Sequence, residues 1–375
     1  MCRSPLGIYI HVPFCTARCG YCDFNTYVPT DPGQPPRFVE AALEELRLAR
    51  AELGADRPVS TVFFGGGTPT LLGAPALLRL LEGVADTFAL AADAEVTTEA
   101  NPESVDPAML RALRRGGFTR VSLGMQSSAP HVLRALDRVH TPGRAVAAAR
   151  EAREAGFEHV SLDLIYGTPG ETDADWETSL EDALSAEPDH VSAYALTVEP
   201  GTALAAAIRR GEARAPDDDA QARRYLIADA RLRDSGLEWY EISNWAASEE
   251  ARCHHNLGYW RSYDWWGIGP GAHSHVDGVR WWNVRLPADY ARRLAGGASP
   301  AAGREELTAE QRTLETVMLR LRTREGLELG VLGEAGRRAL DEQVTSGRAV
   351  VVGDRVRLTR DGRLFADAVV RALSD

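Results

Sequence analysis

A chain of 375 residues with a formal charge of -12 and a pI near 5.3 lacks the basic surface of a broad nucleic-acid footprint, so no nucleic-acid partner is expected. It is long enough for an α/β barrel of roughly 250 residues plus a smaller domain, and with no run of 18 apolar residues and no leader pattern, neither a membrane span nor a secretory signal is expected. Five cysteines, three of them clustered, suit reduced metal-binding thiols in the cytoplasm, and because all 42 basic residues are arginine, a lysine Schiff base and a Walker-type phosphate loop are excluded.

In chain order, apolar or β-branched runs at residues 8–12, 62–64, 95–99, 120–123, 159–165 and 190–197 read as strands. Helical stretches separate them. Val39, Ala42, Leu43, Leu46 and Leu53 share one face, and similar faces recur at residues 76–81, 108–113, 146–155 and 180–184. This alternation predicts a parallel sheet with helical crossovers, in which ligands meet the carboxyl ends of the strands.

Polar groups and glycines gather at those ends. The first strand is followed by Cys15, Cys19 and Cys22 at C-x3-C-x2-C spacing. Three thiolates hold one face of an iron–sulfur cluster and leave one iron open to a small chelating ligand. Structural zinc, closed by His11, Asp23 or a more distant group, is the alternative. The second strand ends in Gly65-Gly66-Gly67-Thr68-Pro69, the third in Glu99-Ala-Asn101-Pro102, and the fourth in Gly124-Met-Gln126, with Arg138 twelve residues on. The fifth contributes Asp163 and Gly167-Thr-Pro169-Gly170, and the sixth Glu199-Pro-Gly201. Glycine-rich backbone lets a ligand approach closely, and it also suits a plain turn. Glu99, Gln126 and Asp163 match ribose hydroxyls and an ammonium, and the Arg138 fork matches a carboxylate. Taken singly, each is also an ordinary strand-end or surface residue.

Residues 236–295 are rich in aromatics and histidine. Seven of the eight tryptophans lie between Trp239 and Trp282, with His254, His255, His273 and His275. By composition such a segment reads first as an aromatic core around a hydrogen-bonded histidine; a flat ligand such as heme, with its iron on a neutral imidazole, is the alternative. If the segment holds heme, as the resemblance given below implies, His255 is the first candidate iron ligand, Cys253 the second and His254 a further choice, with residues 267–274 expected as a loop nearby. The Gly/Ala/Pro stretch 296–303 reads as a linker. Thr308 and Gln311 then stand at capping-box spacing before Leu314, Val317, Met318 and Leu321. A helix at 332–344, a hairpin at 349–352 and 355–358 around Gly353-Asp354, and a helix at 361–373 complete a small winged-helix-like α+β module, given a packing or docking role. The expected domains are thus 1–235, 236–295 and 304–375.

The run His11-Val-Pro-Phe-Cys15-x3-Cys19-x2-Cys22 resembles the cluster loop of the radical S-adenosylmethionine (SAM) superfamily, whose open iron binds the amino and carboxylate groups of SAM. From residue 9 to about residue 365, through Asp163-Leu-Ile-Tyr-Gly-Thr-Pro-Gly170 and Ser192-Ala-Tyr-Ala-Leu-Thr-Val-Glu-Pro-Gly201, the chain resembles the oxygen-independent coproporphyrinogen III oxidase family. That resemblance implies an α/β fold with a partial (β/α)6 TIM-like barrel and a [4Fe-4S] cluster on the three cysteines. It implies SAM against Tyr9, Tyr21, Gly66, Gly67, Thr68, Glu99, Gln126, Arg138, Asp163 and Ala195. Phe24 stands where true oxidases carry a fourth cysteine, and Cys15 leaves no room for their N-terminal segment. With His255-Asn256-Leu-Gly-Tyr259-Trp260 fitting an H-N-x-x-Y-W signature, these departures match the heme chaperone branch of the family. Heme is then the implied cargo, Cys253, His255, Asn256, Tyr259 and Trp260 its site, and respiratory heme proteins its acceptors. Porphyrinogen decarboxylation and radical SAM methyl transfer are the rival activities, so enzyme status stays open, as do a homodimer and peripheral membrane contact.

Overall fold

The computed structural model describes residues 4–54, 57–138 and 141–374; the fifth cysteine, Cys2, and the start of the segment read as lacking a leader lie outside them. All six expected strands form: β1 (Leu6–Val12), β2 (Val59–Gly66), β3 (Leu90–Ala100), β4 (Arg120–Gln126), β5 (His159–Tyr166) and β6 (His190–Ala195). They pair in parallel in chain order. Helices Gln34–Leu53, Ala74–Thr87, Pro107–Arg115, Arg144–Glu154 and Asp173–Leu184 cross between them. Strands covered by crossover helices bury both faces. In β1, Leu6, Ile8, Ile10 and Val12 pack into the outer core, while Gly7 and Tyr9 border internal cavities.

Register stacks the inward residues in tiers. Phe63 lies beside Thr97, and Thr97 beside Arg120; one tier up, Glu99, Ser122, Ser161 and His190 are successive neighbours. Above these, Gly124 lies beside Asp163, and Asp163 beside Ser192.

The sheet continues past the barrel strands. β8 (Asn244–Ala246) extends it antiparallel to β6, and β7 (Glu238–Glu241) pairs antiparallel with β8 at the edge. β9 (Asp264–Ile268) pairs in parallel with β1, followed by antiparallel β10 (His273–Val276), β11 (Val279–Asn283) and β12 (Ala301–Glu306). The aromatic segment therefore contributes five strands to the sheet. Trp239, Trp245 and Trp266 belong to the barrel core, and Trp266 meets Trp281 edge-on at 4.7 Å. The stretch read as a linker ends inside β12, because the free edge of β11 supplies backbone partners that its composition does not advertise.

The C-terminal helix Ala309–Arg320 opens on the expected Thr308/Gln311 capping box. With Glu334–Thr345, Ala366–Ser374 and an antiparallel sheet of β13 (Leu327–Glu328), β14 (Ala349–Val352) and β15 (Arg355–Leu358), β15 central, it encloses a core of its own around Val317, Leu321, Val356 and Val369. The last helix, expected as one, forms as Arg360–Arg363 and Ala366–Ser374. Asp229 ties this unit to the barrel. It pairs with Arg360 (2.9 Å) and Arg363 (2.8 Å), accepts the Trp245 Nε1–H (3.1 Å), and Arg363 lies over the Trp239 ring. Among the described residues no helix is long and apolar enough to cross a membrane.

Candidate functional site

The cysteines leave β1 on a loop pinned by its backbone: Cys15 N–H donates to the Tyr27 carbonyl (3.0 Å), and Tyr27 N–H to that of Pro13 (2.7 Å). Asn25 fastens the far side, donating to the carbonyls of Pro270 (2.9 Å) and Arg285 (2.8 Å). The loop after β9 thus touches the cysteines' end of the barrel, whereas the sequence suggested the histidine segment. The glycine-rich loop docks on the same support, with Gly67 and Thr68 N–H donating to the carbonyls of Val12 (2.8 Å) and Phe14 (2.7 Å). A methyl group on Gly67 would sit 2.4 Å from the Phe14 carbonyl oxygen and 3.0 Å from Cys15 Sγ, and Gly66 holds a φ of 107°; both positions need glycine.

Cys15, Cys19 and Cys22 are free, half-buried thiols at one end of a cavity of about 720 Å³ inside the barrel. Burial pushes the Cys15 and Cys22 thiols above the ordinary thiol range, so metal binding there displaces protons. Among the described residues no group of three or more His, Cys, Asp or Glu converges to hold one metal ion, as a structural zinc site requires. Three soft thiol donors at one end of the cavity suit an iron–sulfur cluster. Arg138 bridges Cys19 Sγ (3.7 Å) and the Gly124 carbonyl (2.9 Å), while its buried Nε has no partner.

All ten positions expected around SAM line this cavity. Glu99 accepts the Gly66 N–H (3.1 Å); burial, and then the charge of Asp163, push its carboxyl up to about 8. Asp163 is also raised by burial, although Ser122 Oγ donates to it at 2.9 Å. Two buried acids at neighbouring tiers favour a ligand that brings positive charge and hydroxyl donors. Gln126 turns the chain off β4 at a φ of 67°, a left-handed backbone that costs energy for any residue with a Cβ and recurs at ligand sites.

The helix His254–Trp260 closes the opposite end. Glu95 caps its start, accepting the backbone N–H of His254 and His255 (2.9 Å each) and the Cys253 thiol (3.7 Å). His255 is buried with both nitrogens engaged: Nδ1 with Thr61 Oγ1 and Nε2 with the Tyr259 hydroxyl, each at 2.8 Å. Its ring stacks on Phe63 at 5.1 Å, and burial lowers its pKa to about 4, leaving a neutral imidazole. Burial drives the Cys253 thiol far up. Asn256 donates to Glu241 (3.1 Å), whose carboxyl burial raises to about 8.

Cys253, His255, Asn256 and Tyr259 line the same cavity as the cysteine trio; Trp260 does not, packing instead with Tyr240, Ala251 and Leu257. His254 is exposed and borders a separate cavity of about 320 Å³. The tryptophans follow the aromatic-core reading, with Trp239, Trp245 and Trp266 in the barrel core. None lines the central cavity, whose aromatic surface near the floor comes from Tyr9, Phe63 and Tyr259. Sequence reasoning missed Thr97, Arg120 and Asn244, which also line it. Two-residue alternation back from Gln126 through Gly124 and Ser122 points to Arg120.

The sequence pattern of the radical SAM superfamily matches residues 9–183. The chain is 56% identical over 372 residues to the heme chaperone HemW of Mycobacterium tuberculosis, covering 99% of this chain and 95% of that one. Identity to the heme chaperone HemW of Escherichia coli is 34% over 380 residues, covering 98% and 97%. Among solved structures, coproporphyrinogen III oxidase (HemN) from Escherichia coli superposes with a TM-score of 0.85 at 24% identity, over 99% of this chain and 90% of that one, a likeness of fold.

Proposed function

This chain belongs to the radical SAM superfamily and, within it, to the HemW heme chaperone family, and on that footing we propose that it carries heme in its barrel and delivers it to heme-dependent respiratory proteins. The observation that carries the reading is the single cavity shared by the three thiols, the ten SAM positions and four residues of the Cys253 to Tyr259 segment. The chaperone works in the cytoplasm on this reading.

The residues fit the cofactors that the family implies. Cys15, Cys19 and Cys22 would hold a [4Fe-4S] cluster, which when bound supplies an open iron to the amino and carboxylate groups of SAM. The unpartnered Nε of Arg138 is left for that carboxylate, and the glycine loop allows close approach. Glu99 and Asp163 would accept from ribose hydroxyls and offset the sulfonium.

A proton balance follows. Glu99 has its ordinary value near 4.5 when solvated and about 8 here, so between these pH values the free protein holds a proton that a cationic ligand expels. Binding that releases a proton strengthens as pH rises. Calorimetry of SAM binding to the cluster-loaded protein near pH 7, in buffers of different ionisation enthalpy, should show up to about one more proton released by wild type than by Glu99→Gln. Equal release by both would place the SAM charge away from Glu99.

At the other end, His255 is the best-prepared heme ligand. Ligation through Nε2 gives up only the Tyr259 hydroxyl, while Thr61 keeps Nδ1 oriented, as ligating histidines require. Cys253 would have to shed a firmly held proton beside the Glu95 carboxylate, and His254 lies outside the cavity. The direct test mixes anaerobic, heme-loaded protein with the apo form of a heme-dependent respiratory oxidase. Activity should return faster than free heme at the same concentration restores it; equal rates would reduce the protein to a passive heme binder.

A further inference from the structure

We propose that Arg120 anchors a propionate of the bound heme at the floor of the barrel, an inference that rests on the heme-carrying reading of the same cavity. Arg120 opens β4 and is 1% exposed, yet it lines the cavity. Its Nη2 donates to the Ala251 carbonyl (2.6 Å), four residues before His255, and its buried Nη1 has no partner. Other buried arginines are neutralised: Arg57 pairs with Asp264, and Arg224 with Glu171 and Asp173. Among the described residues Arg120 forms no such pair; it feels the charge of the buried Asp163 carboxyl but makes no ion pair with it.

A guanidinium does not give up its proton in a protein, and a buried charge without a counter-ion is costly. The arrangement calls for an anion inside the cavity. Beside Arg120 in the sheet stands Thr97, fully buried, whose Oγ1 also lacks a partner. A planar fork next to a hydroxyl donor is a receptor for a carboxylate. The SAM carboxylate is assigned elsewhere, to Arg138, which grips the Gly124 carbonyl four residues and roughly 13 Å along the strand toward the cysteines. Heme carries two propionates on one edge, and the Ala251 contact ties Arg120 to the segment that presents His255.

The test is anaerobic titration of wild type and Arg120→Gln with heme and with iron protoporphyrin IX dimethyl ester, which lacks free carboxylates, SAM affinity being followed in parallel. Wild type should prefer heme over the ester by about tenfold or more. Arg120→Gln should lose that preference by weakening heme alone, with SAM affinity unchanged within about twofold, and Arg120→Lys should recover part of it. Equal binding of heme and ester by wild type overturns the anchor even if the variants misfold. So does a preference that survives in Arg120→Gln, or a variant that loses SAM and keeps heme. Failure of wild type to bind heme at all would sink the carrier reading, and the anchor with it.

Discussion

Cys19→Ser, rebuilt with iron and sulfide without oxygen, should hold almost no cluster where wild type holds about four irons per chain, and SAM binding should vanish with it. The expectation of near-total loss comes from the lack of a substitute. Cys253 is the other described cysteine, and it sits at the opposite end of the cavity with its thiol on Glu95. Serine keeps the size of the side chain but removes the soft donor that iron–sulfur clusters select. The loop itself should survive, since it is held by Tyr27, Pro13 and Asn25 rather than by sulfur. Iron and sulfide analysis with visible absorbance decides the matter, and Cys253→Ser serves as the control that should keep its cluster. Full iron in Cys19→Ser, or zinc in place of iron in wild type, would remove the cofactor assignment.

How far the site could be read in advance follows from how local each signal is. The cysteine loop lies within eight consecutive residues, and the glycine loop and strand-end acids each follow directly on an apolar run, so spacing alone exposed them. Residues that reach the cavity from a strand's start follow no apolar run and show only through two-residue alternation. Arg120 looks like any arginine until its neighbours' tiers show that it points inward. Composition left the aromatic surface of the cavity unread, because an aromatic count says nothing about facing: Trp245 fills the core while Tyr9 and Phe63 face the cavity. Trp260 shares a motif with His255, yet five positions on a helix are about 500° of rotation, which turns the two side chains to different sides. β12 was hidden because its strand character comes from a partner's edge.

His255→Ala should abolish heme binding, whereas Tyr259→Phe should keep it. His255 packs between Phe63 and Tyr259 and holds two hydrogen bonds, so truncation should cost roughly 2–4 kcal/mol of stability near pH 7 and abolish the heme spectrum. Its folded pKa, about 4, lies below the ordinary 6.5 of an unfolded chain. A base depressed in this way stabilises the fold fully above pH 6.5 and loses that contribution as the pH falls toward 4, at most about 3 kcal/mol. The stability gap between wild type and His255→Ala should therefore narrow across that window. The difference between the two proteins cancels the opposite trend from Glu99 and Glu241, whose raised carboxyls are common to both. Tyr259→Phe removes only the hydroxyl that occupies Nε2, so it should bind heme at least as tightly as wild type with the same Soret position. Denaturation between pH 4 and 7.5 with parallel heme titrations separates the roles. If His255→Ala kept an unchanged Soret band, the iron would have another ligand and His255 would be a packing residue of the barrel floor.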